Sequence, residues 1–247
     1  MFYETAKNDH GLARPPFKSC AVPRVIGWLS TVSADGVDNL APYSQFTNLT
    51  FDPPYVLVSI NRGPTGKRKD TAVNIEETGE FVYNIVPYAL RQAMNVTAAP
   101  FPPEVDEFEK AGLTKAKCEL VKPCRVADSP INLECKYVQT IVLPGDSKSG
   151  TVDIIIGKVV GVHIADEVIL PDGKIDMEKI RPLARMGYSD YTSVEHVFEL
   201  EPDLQAGGHR RHGPGRSGGR HGYGAVRPLR RPVICPQRGR ESDEQRS

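Results

Sequence analysis

Seven runs rich in β-branched and aromatic residues follow one another along this chain, separated by turn residues, short helical stretches and one long connection. That rhythm limits the folds open to it. Residues 24–33 (RVIGWLSTVS) predict a strand. Asp35-Gly36 predicts a hairpin, and residues 37–50 return as a second extended segment. Pro42 has no N–H to give a neighbour, so that segment should bulge or lie at an edge there. After the turn Asp52-Pro53-Pro54, residues 55–60 (YVLVSI) form a third strand, apolar enough to be covered on both faces.

Residues 70–78 predict a helix, capped by Asp70 or Thr71 and ended by Gly79. Residues 81–86 are a fourth strand and 89–96 a short helix. Residues 98–130 form a long connection with one helical turn at 105–111, long enough to suggest a functional role. Two long strands, 131–143 and 153–164, are joined through Pro144-Gly145 and Gly150. Residues 175–183 are weakly helical, and 193–200 close the pattern as a last strand. A parallel sheet would need longer crossover helices than these. The expectation is a mainly β, α+β chain whose antiparallel sheet closes into a barrel.

The domain boundaries follow from a change in composition. Residues 1–19 read as an N-terminal extension and 20–202 as the folded domain. Residues 203–247 hold ten Arg, four acidic residues and nine of the 22 glycines, with few apolar side chains. Two readings fit that stretch: a disordered Arg/Gly-rich tail, or GC-rich coding sequence translated out of frame. Contact with RNA or an anionic surface is a lesser reading. Its Gly213-Pro-Gly-Arg-Ser-Gly218 matches a dinucleotide fingerprint only in letters, because no strand precedes it and no helix follows. The rest of the chain carries 21 basic and 27 acidic groups, which argues against nucleic acid as its main partner.

Five cysteines (20, 118, 124, 135 and 235) include no C-x-x-C pair. Neither a disulfide framework nor a metal site is expected. The first residues lack an apolar leader core, and no run has the length of a membrane span. A cytoplasmic protein with reduced thiols is expected, and the two Asn-x-Thr patterns at Asn48 and Asn95 then carry no meaning.

Two neighbouring segments could carry chemistry. Ser59, Arg62, Thr65, Lys67, Lys69 and Thr71 cluster at the start of the 70–78 helix, where free N–H groups and the helix dipole favour an anion. The polar strand before it supplies Asn39, Tyr43, Ser44, Gln45, Thr47 and Asn48, with Phe46 and Trp28 as apolar cover. Such a strand suits a flat heterocycle with alternating donors and acceptors. A flavin mononucleotide has both parts. A solvated basic loop and an ordinary half-exposed strand fit the same residues, and spacing alone does not choose.

Several longer motifs occur in order: the stretch from Arg24 to Ser59, then KDTAVNIEETGEFVYNIV, MNVTAAPFPPEVDEFEKAGL, VADSPINLECKY, GKVVGVHIADEVI and LARMGYSDY. Together they resemble the flavin reductase-like, FMN-binding split-barrel family over residues 20–200. The likeness is to its flavoredoxin and two-component monooxygenase reductase branch. The resemblance implies a six-stranded split barrel holding FMN noncovalently at the interface of a homodimer. Carried over residue by residue, it implies that Asn39, Ala41, Tyr43, Ser44, Gln45, Phe46, Thr47 and Asn48 lie along the ring. Ser59, Lys69 and Thr71 would hold the phosphate, joined by Arg62 and Asn74, with Asp70 beside them in the cofactor site, and Arg185 and Tyr191 would approach from late in the chain.

The implied activity is hydride transfer from NADH or NADPH to FMN, with the reduced flavin serving a monooxygenase or another electron-acceptor protein. The alternative is a flavoredoxin-like electron carrier with tightly bound FMN and no NAD(P)H activity. A split-barrel oxidase acting on pyridoxamine phosphate ranks below both. No dedicated acid or base is needed, because the cofactor carries the difficult chemistry. His163 is the one histidine that could act near the ring, although a lone His on an apolar strand also reads as a satisfied core residue. His10, His196, His209 and His212 read as peripheral or as tail residues. Glu134 and Asp166 read as solvated strand-end carboxylates.

Overall fold

The computed structural model describes residues 1–200; the stretch 203–247 read above as a tail lies outside the described residues. Its strands are β1 (Arg24–Val25), β2 (Gly27–Val32), β3 (Asp38–Tyr43), β4 (Phe46–Phe51), β5 (Pro54–Asn61), β6 (Glu80–Asn84), β7 (Lys115–Ala116), β8 (Arg125–Val126), β9 (Ile131–Leu143), β10 (Val152–Ile164), β11 (Leu183–Gly187) and β12 (Asp190–Ser193). Four short helices intervene: α1 (Asp70–Thr78), α2 (Arg91–Val96), α3 (Glu107–Lys110) and α4 (Met177–Ile180).

Seven strands form one antiparallel sheet in the order β3-β2-β6-β9-β10-β5-β4. Its two edge strands, β3 and β4, are consecutive in sequence and joined only by Ser44-Gln45. Two residues cannot span an open sheet of this width, so the sheet must curl until its edges meet. They meet without pairing, which is the split in the barrel. Phe46 enters the seam from β4 and stacks on Tyr83 of β6, with centroids 4.5 Å apart. Gly27 leaves room for it, since a Cβ there would lie 2.8 Å from the Phe46 side chain.

The expected second strand is therefore two strands, and this gives seven where the resemblance implied six. The break falls at Ser44-Gln45, while Pro42 sits paired with Trp28 on an edge strand, as a residue without an N–H should. Two further expectations are corrected. β5 alternates between buried Val56, Val58 and Ile60 and half-exposed Tyr55, Leu57 and Ser59, so only one of its faces is fully covered within the chain. The last strand is β12 rather than residues 193–200, and β11 occupies residues where a helix was expected to end. β1, β11 and β12 make a second, three-stranded sheet, with Arg24 opposite Arg185.

Inside the barrel, Leu29, Val58, Ile60, Ile75, Phe81 and Ile155 form a core with essentially no exposed surface. A second cluster, built on Trp28, Leu40, Met94 and Phe108, lies on the other face of β2 and β3. β2 is thus buried on both faces. α1 packs across it and ends at Gly79, whose left-handed φ of +74° makes glycine the favoured residue there.

Candidate functional site

The start of α1 packs against β3, and this brings together the two segments singled out in the sequence. Asn39, Ala41 and Tyr43 of β3 line a cleft of about 180 Å³ with Lys69, Asp70 and Thr71. Thr97 to Phe101 and Glu107 complete its wall. The Thr71 hydroxyl accepts from Asn39 Nδ2 and from the Tyr43 hydroxyl, both at 2.9 Å. Behind them Thr31 Oγ1 accepts from Asn39 Nδ2 and Asn74 Nδ2, both at 3.1 Å. Because Thr31, Thr71 and Asn74 are buried, these bonds are shielded from water and hold the strand and helix in one register.

The cleft suits an anion at one end. Lys69 is the residue before α1, is exposed, and makes no side-chain cap to the helix. Neither Asp70 nor Thr71 caps it, contrary to expectation; Thr71 is held by β3 instead. The Ala72 and Val73 amides bond to the Lys69 carbonyl at 3.0 and 3.2 Å, which leaves those of Asp70 and Thr71 available, and the dipole adds positive potential. Lys69 has no carboxylate within salt-bridge distance among the described residues, whereas Lys67 lies 3.9 Å from Asp70. At the other side, Glu107 is buried and accepts the Leu40 N–H at 2.9 Å. Burial raises its pKa above the ordinary carboxylate value, with the Leu40 N–H acting against that shift.

Other expected site residues lie elsewhere. Arg62 is engaged by buried Asp153 through two hydrogen bonds of 2.8 and 3.2 Å. Arg68 joins the same carboxylate and also grips Glu76. Ser59 pairs with Ile154 in the sheet, and its N–H reaches the Gln45 carbonyl at 2.9 Å. Neither Arg62 nor Ser59 lines the cleft. Ser44 and Gln45 form the link between the sheet edges. Phe46, Thr47 and Asn48 line a separate groove of about 340 Å³ with Val25, Tyr83 and Ile85. The polar ribbon is thus divided between two edges of the sheet, because the chain turns at Ser44. Arg185 and Tyr191 pair with each other on β11 and β12, and Tyr191 borders a third concavity.

His163 is satisfied rather than free. Its Nε2 lies 2.5 Å from Glu134 Oε1. Glu134 is fully buried, contrary to the expectation of a solvated carboxylate, and also accepts the N–H groups of Glu119 (2.8 Å) and Leu120 (2.6 Å). Burial raises its pKa, but these N–H groups and His163 outweigh that and hold it below the usual value. The carboxylate ties the long connection to the sheet. Burial and the Glu134 charge push the nearby Cys118 thiol up to about 12, so it stays protonated. Sequence reasoning missed Thr97 to Phe101 and Glu107 as cleft residues; the unusual length of their loop was the available signal.

An antiparallel sheet closed on itself with one unpaired seam defines the split-barrel class. The chain matches the flavin reductase like domain over residues 19–176, more than half its length, and it belongs to that family. An uncharacterized protein of Halalkalibacterium halodurans is 40% identical over 180 residues, covering 73% of this chain and 86% of that protein. Among solved structures, nitrilotriacetate monooxygenase component B from Bacillus cereus matches with a TM-score of 0.73 and 33% identity. That match covers 81% of this chain and 98% of the other. Flavoredoxin of Desulfovibrio vulgaris (Miyazaki F) shares the fold, with a TM-score of 0.62 at 22% identity over 76% of this chain and 94% of that one. The family named from the motifs therefore holds. No helix among the described residues is long and apolar enough to cross a membrane.

Proposed function

We propose that this chain binds FMN with its phosphate at the start of α1 and acts as an NAD(P)H:flavin oxidoreductase. The observation that carries this reading is the lock of Asn39 and Tyr43 onto Thr71 beside a helix start with no side-chain cap and a Lys69 that has no ion-pair partner among the described residues. It sets neutral hydrogen-bonding groups and a cationic end in one cleft, which a phosphorylated heterocycle requires. Family membership supports the same ligand.

Lys69 and the free amides of Asp70 and Thr71 would hold the phosphate by charge-assisted hydrogen bonds. Asn39 and Tyr43 keep Thr71 and the helix start in place rather than reacting themselves. Pro100 and Phe101 supply apolar cover that excludes water from part of the cleft. An FMN held there would supply the redox chemistry, with NADH or NADPH as the hydride donor. His163, fixed by Glu134, has no part in that step. Arg62, held by Asp153, serves stability rather than phosphate binding.

The working unit in this reading is a homodimer. One chain leaves half of the polar ribbon, Thr47 and Asn48, exposed on the other edge strand, β4, which also carries an 86% exposed Phe51. A second copy covering that edge would bury Phe51 and bring the two halves into one site. A cytoplasmic location and a monooxygenase or electron-acceptor partner belong to the same reading.

The test is an absorbance spectrum of the purified protein, followed by NAD(P)H oxidation with added FMN. Flavin bands and turnover are expected. A yellow protein inert toward both nicotinamide nucleotides would establish the electron-carrier alternative, and a colourless protein that binds no FMN would end both.

A further inference from the structure

Three side chains from three separate segments meet where the long connection crosses the sheet. Cys118 lies in the connection between β7 and β8, Glu134 on β9 and His163 on β10. The Cys118 Sγ, a Glu134 carboxylate oxygen and a His163 ring nitrogen all lie within 4.8 Å of one another. Among the described residues no other three Cys, His, Asp or Glu side chains gather so closely.

The sheet builds this arrangement. Gly161 stands opposite Glu134 at a bulge in the β9–β10 pairing, and a Cβ there would lie 3.3 Å from Glu134 Cδ, so glycine leaves the carboxylate its room. His163, two residues further along the same face of β10, reaches back to it. The carboxylate is buried and held by the Glu119 and Leu120 N–H groups, so its position is set before any ligand arrives. The His163 side chain is 23% exposed and borders a hollow of about 420 Å³, which gives an ion a way in.

Glu134 Oε1 gives one lone pair to the Glu119 N–H, and the other faces His163 Nε2 at 2.5 Å. A divalent ion can take the place of the proton between them. Bonds of about 2.0–2.3 Å put tetrahedral ligand atoms roughly 3.3–3.6 Å apart, so side-chain shifts of about 1 Å suffice. Sulfur, nitrogen and oxygen donors together suit zinc, whereas magnesium and calcium take oxygen. Arg125 borders the same hollow, and the thiolate and carboxylate neutralise the ion's own two charges beside it.

We propose that Cys118, Glu134 and His163 bind one zinc ion, with water as the fourth ligand. The Cys118 thiol gives its proton to solvent as the Zn–S bond forms, and the His163–Glu134 contact opens. The ion joins the 98–130 connection to β9 and β10, and that connection also carries Phe101 and Glu107 of the cleft wall. Cysteine spacing gave no sign of the site, because its ligands come from three segments. It does not depend on the flavin reading.

Calorimetric titration of chelator-treated, reduced full-length protein with zinc sulfate tests it. One equivalent of zinc is expected to bind and magnesium is expected not to. Cys118→Ser and His163→Gln should each weaken zinc by about tenfold or more. Cobalt(II) added instead should give a thiolate-to-cobalt charge-transfer band that Cys118→Ser abolishes and Cys20→Ser keeps. Saturating zinc should raise the thermal midpoint of wild type and leave that of Cys118→Ser in place. Wild-type protein without saturable zinc binding, or with a cobalt spectrum lacking the thiolate band, would overturn the proposal. Zinc held equally by wild type and Cys118→Ser would put the ion elsewhere and overturn it too.

Discussion

Asn39 Nδ2 donates to Thr71 Oγ1 at 2.9 Å, joining the edge strand β3 to the first turn of α1 across 32 residues of sequence. Tyr43 donates to the same oxygen. One buried hydroxyl thereby fixes both sides of the candidate cleft. Thr71→Val keeps the shape and removes the acceptor. Leaving buried donors without a partner costs about 1–3 kcal/mol. We expect a matching loss in denaturant stability and FMN binding weakened by roughly tenfold. Trp28, the single tryptophan, provides a readout, since its Nε1 donates to Thr97 at 2.9 Å and Thr97 lines the cleft. Flavin titration should quench its emission, and Thr71→Val should move that curve to higher FMN.

Lys69→Ala separates the phosphate from the ring. The Lys69 side chain is exposed and has no hydrogen-bond or ion-pair partner among the described residues, so stability should change by less than about 0.5 kcal/mol. FMN affinity should fall by ten- to a hundredfold, on the order of a lost hydrogen bond to a charged group. Riboflavin, which lacks the phosphate, should bind wild type and variant alike. Equal losses for both flavins would remove Lys69 from the phosphate site.

Asp153 is fully buried between Arg62 and Arg68, whose side chains stay 25% and 29% exposed. Removing its carboxylate takes that partner from Arg62, while Arg68 keeps Glu76. With both guanidinium groups partly exposed, the cost is about 1–3 kcal/mol, that of lost hydrogen bonds to a charged group. Asp153→Ala should lower the thermal midpoint, while protein that remains folded should bind FMN as before. A large loss of FMN affinity at unchanged stability would return Arg62 to the phosphate site.

Stability should fall on acidification for an identifiable reason. Arg68 holds Glu76 below the ordinary value of 4.5. Burial acts against the same shift at Glu80 and Glu134, where Lys136 and backbone N–H groups prevail. For groups lowered in this way the unfolded chain binds more protons, so their contribution is complete above about pH 4.5 and is lost as pH falls through the folded-state values. Glu134→Gln should lower the urea midpoint near neutral pH and flatten its decline below about pH 4.5. A decline as steep as that of wild type would show that Glu134 does not carry that share.

Much of the site was readable because its signals are local. Gly79 stops α1, Asp35-Gly36 turns the first hairpin, and the polar and basic segments stand within 32 residues of one another. The resemblance of ordered motifs added the family, which the domain match bears out. The role of Arg62 was not readable, since its partner Asp153 is 91 residues away and only strand register brings them together. The burial of Glu134 was hidden for the same reason: its neighbours Glu119 and Leu120 come from the loop, and His163 comes from the adjacent strand.

What the amino-acid order determined by itself was most strands of the large sheet, the helix after the basic segment, and the residue types offered to a ligand, because propensity and turn chemistry act between near neighbours. Where those residues point was decided only by the closing of the sheet. The turn at Ser44-Gln45 sends Tyr43 and Phe46 to opposite sheet edges, so one polar ribbon becomes two surfaces. That division depends on strand pairing over the whole barrel, a long-range packing condition that no short stretch of sequence contains.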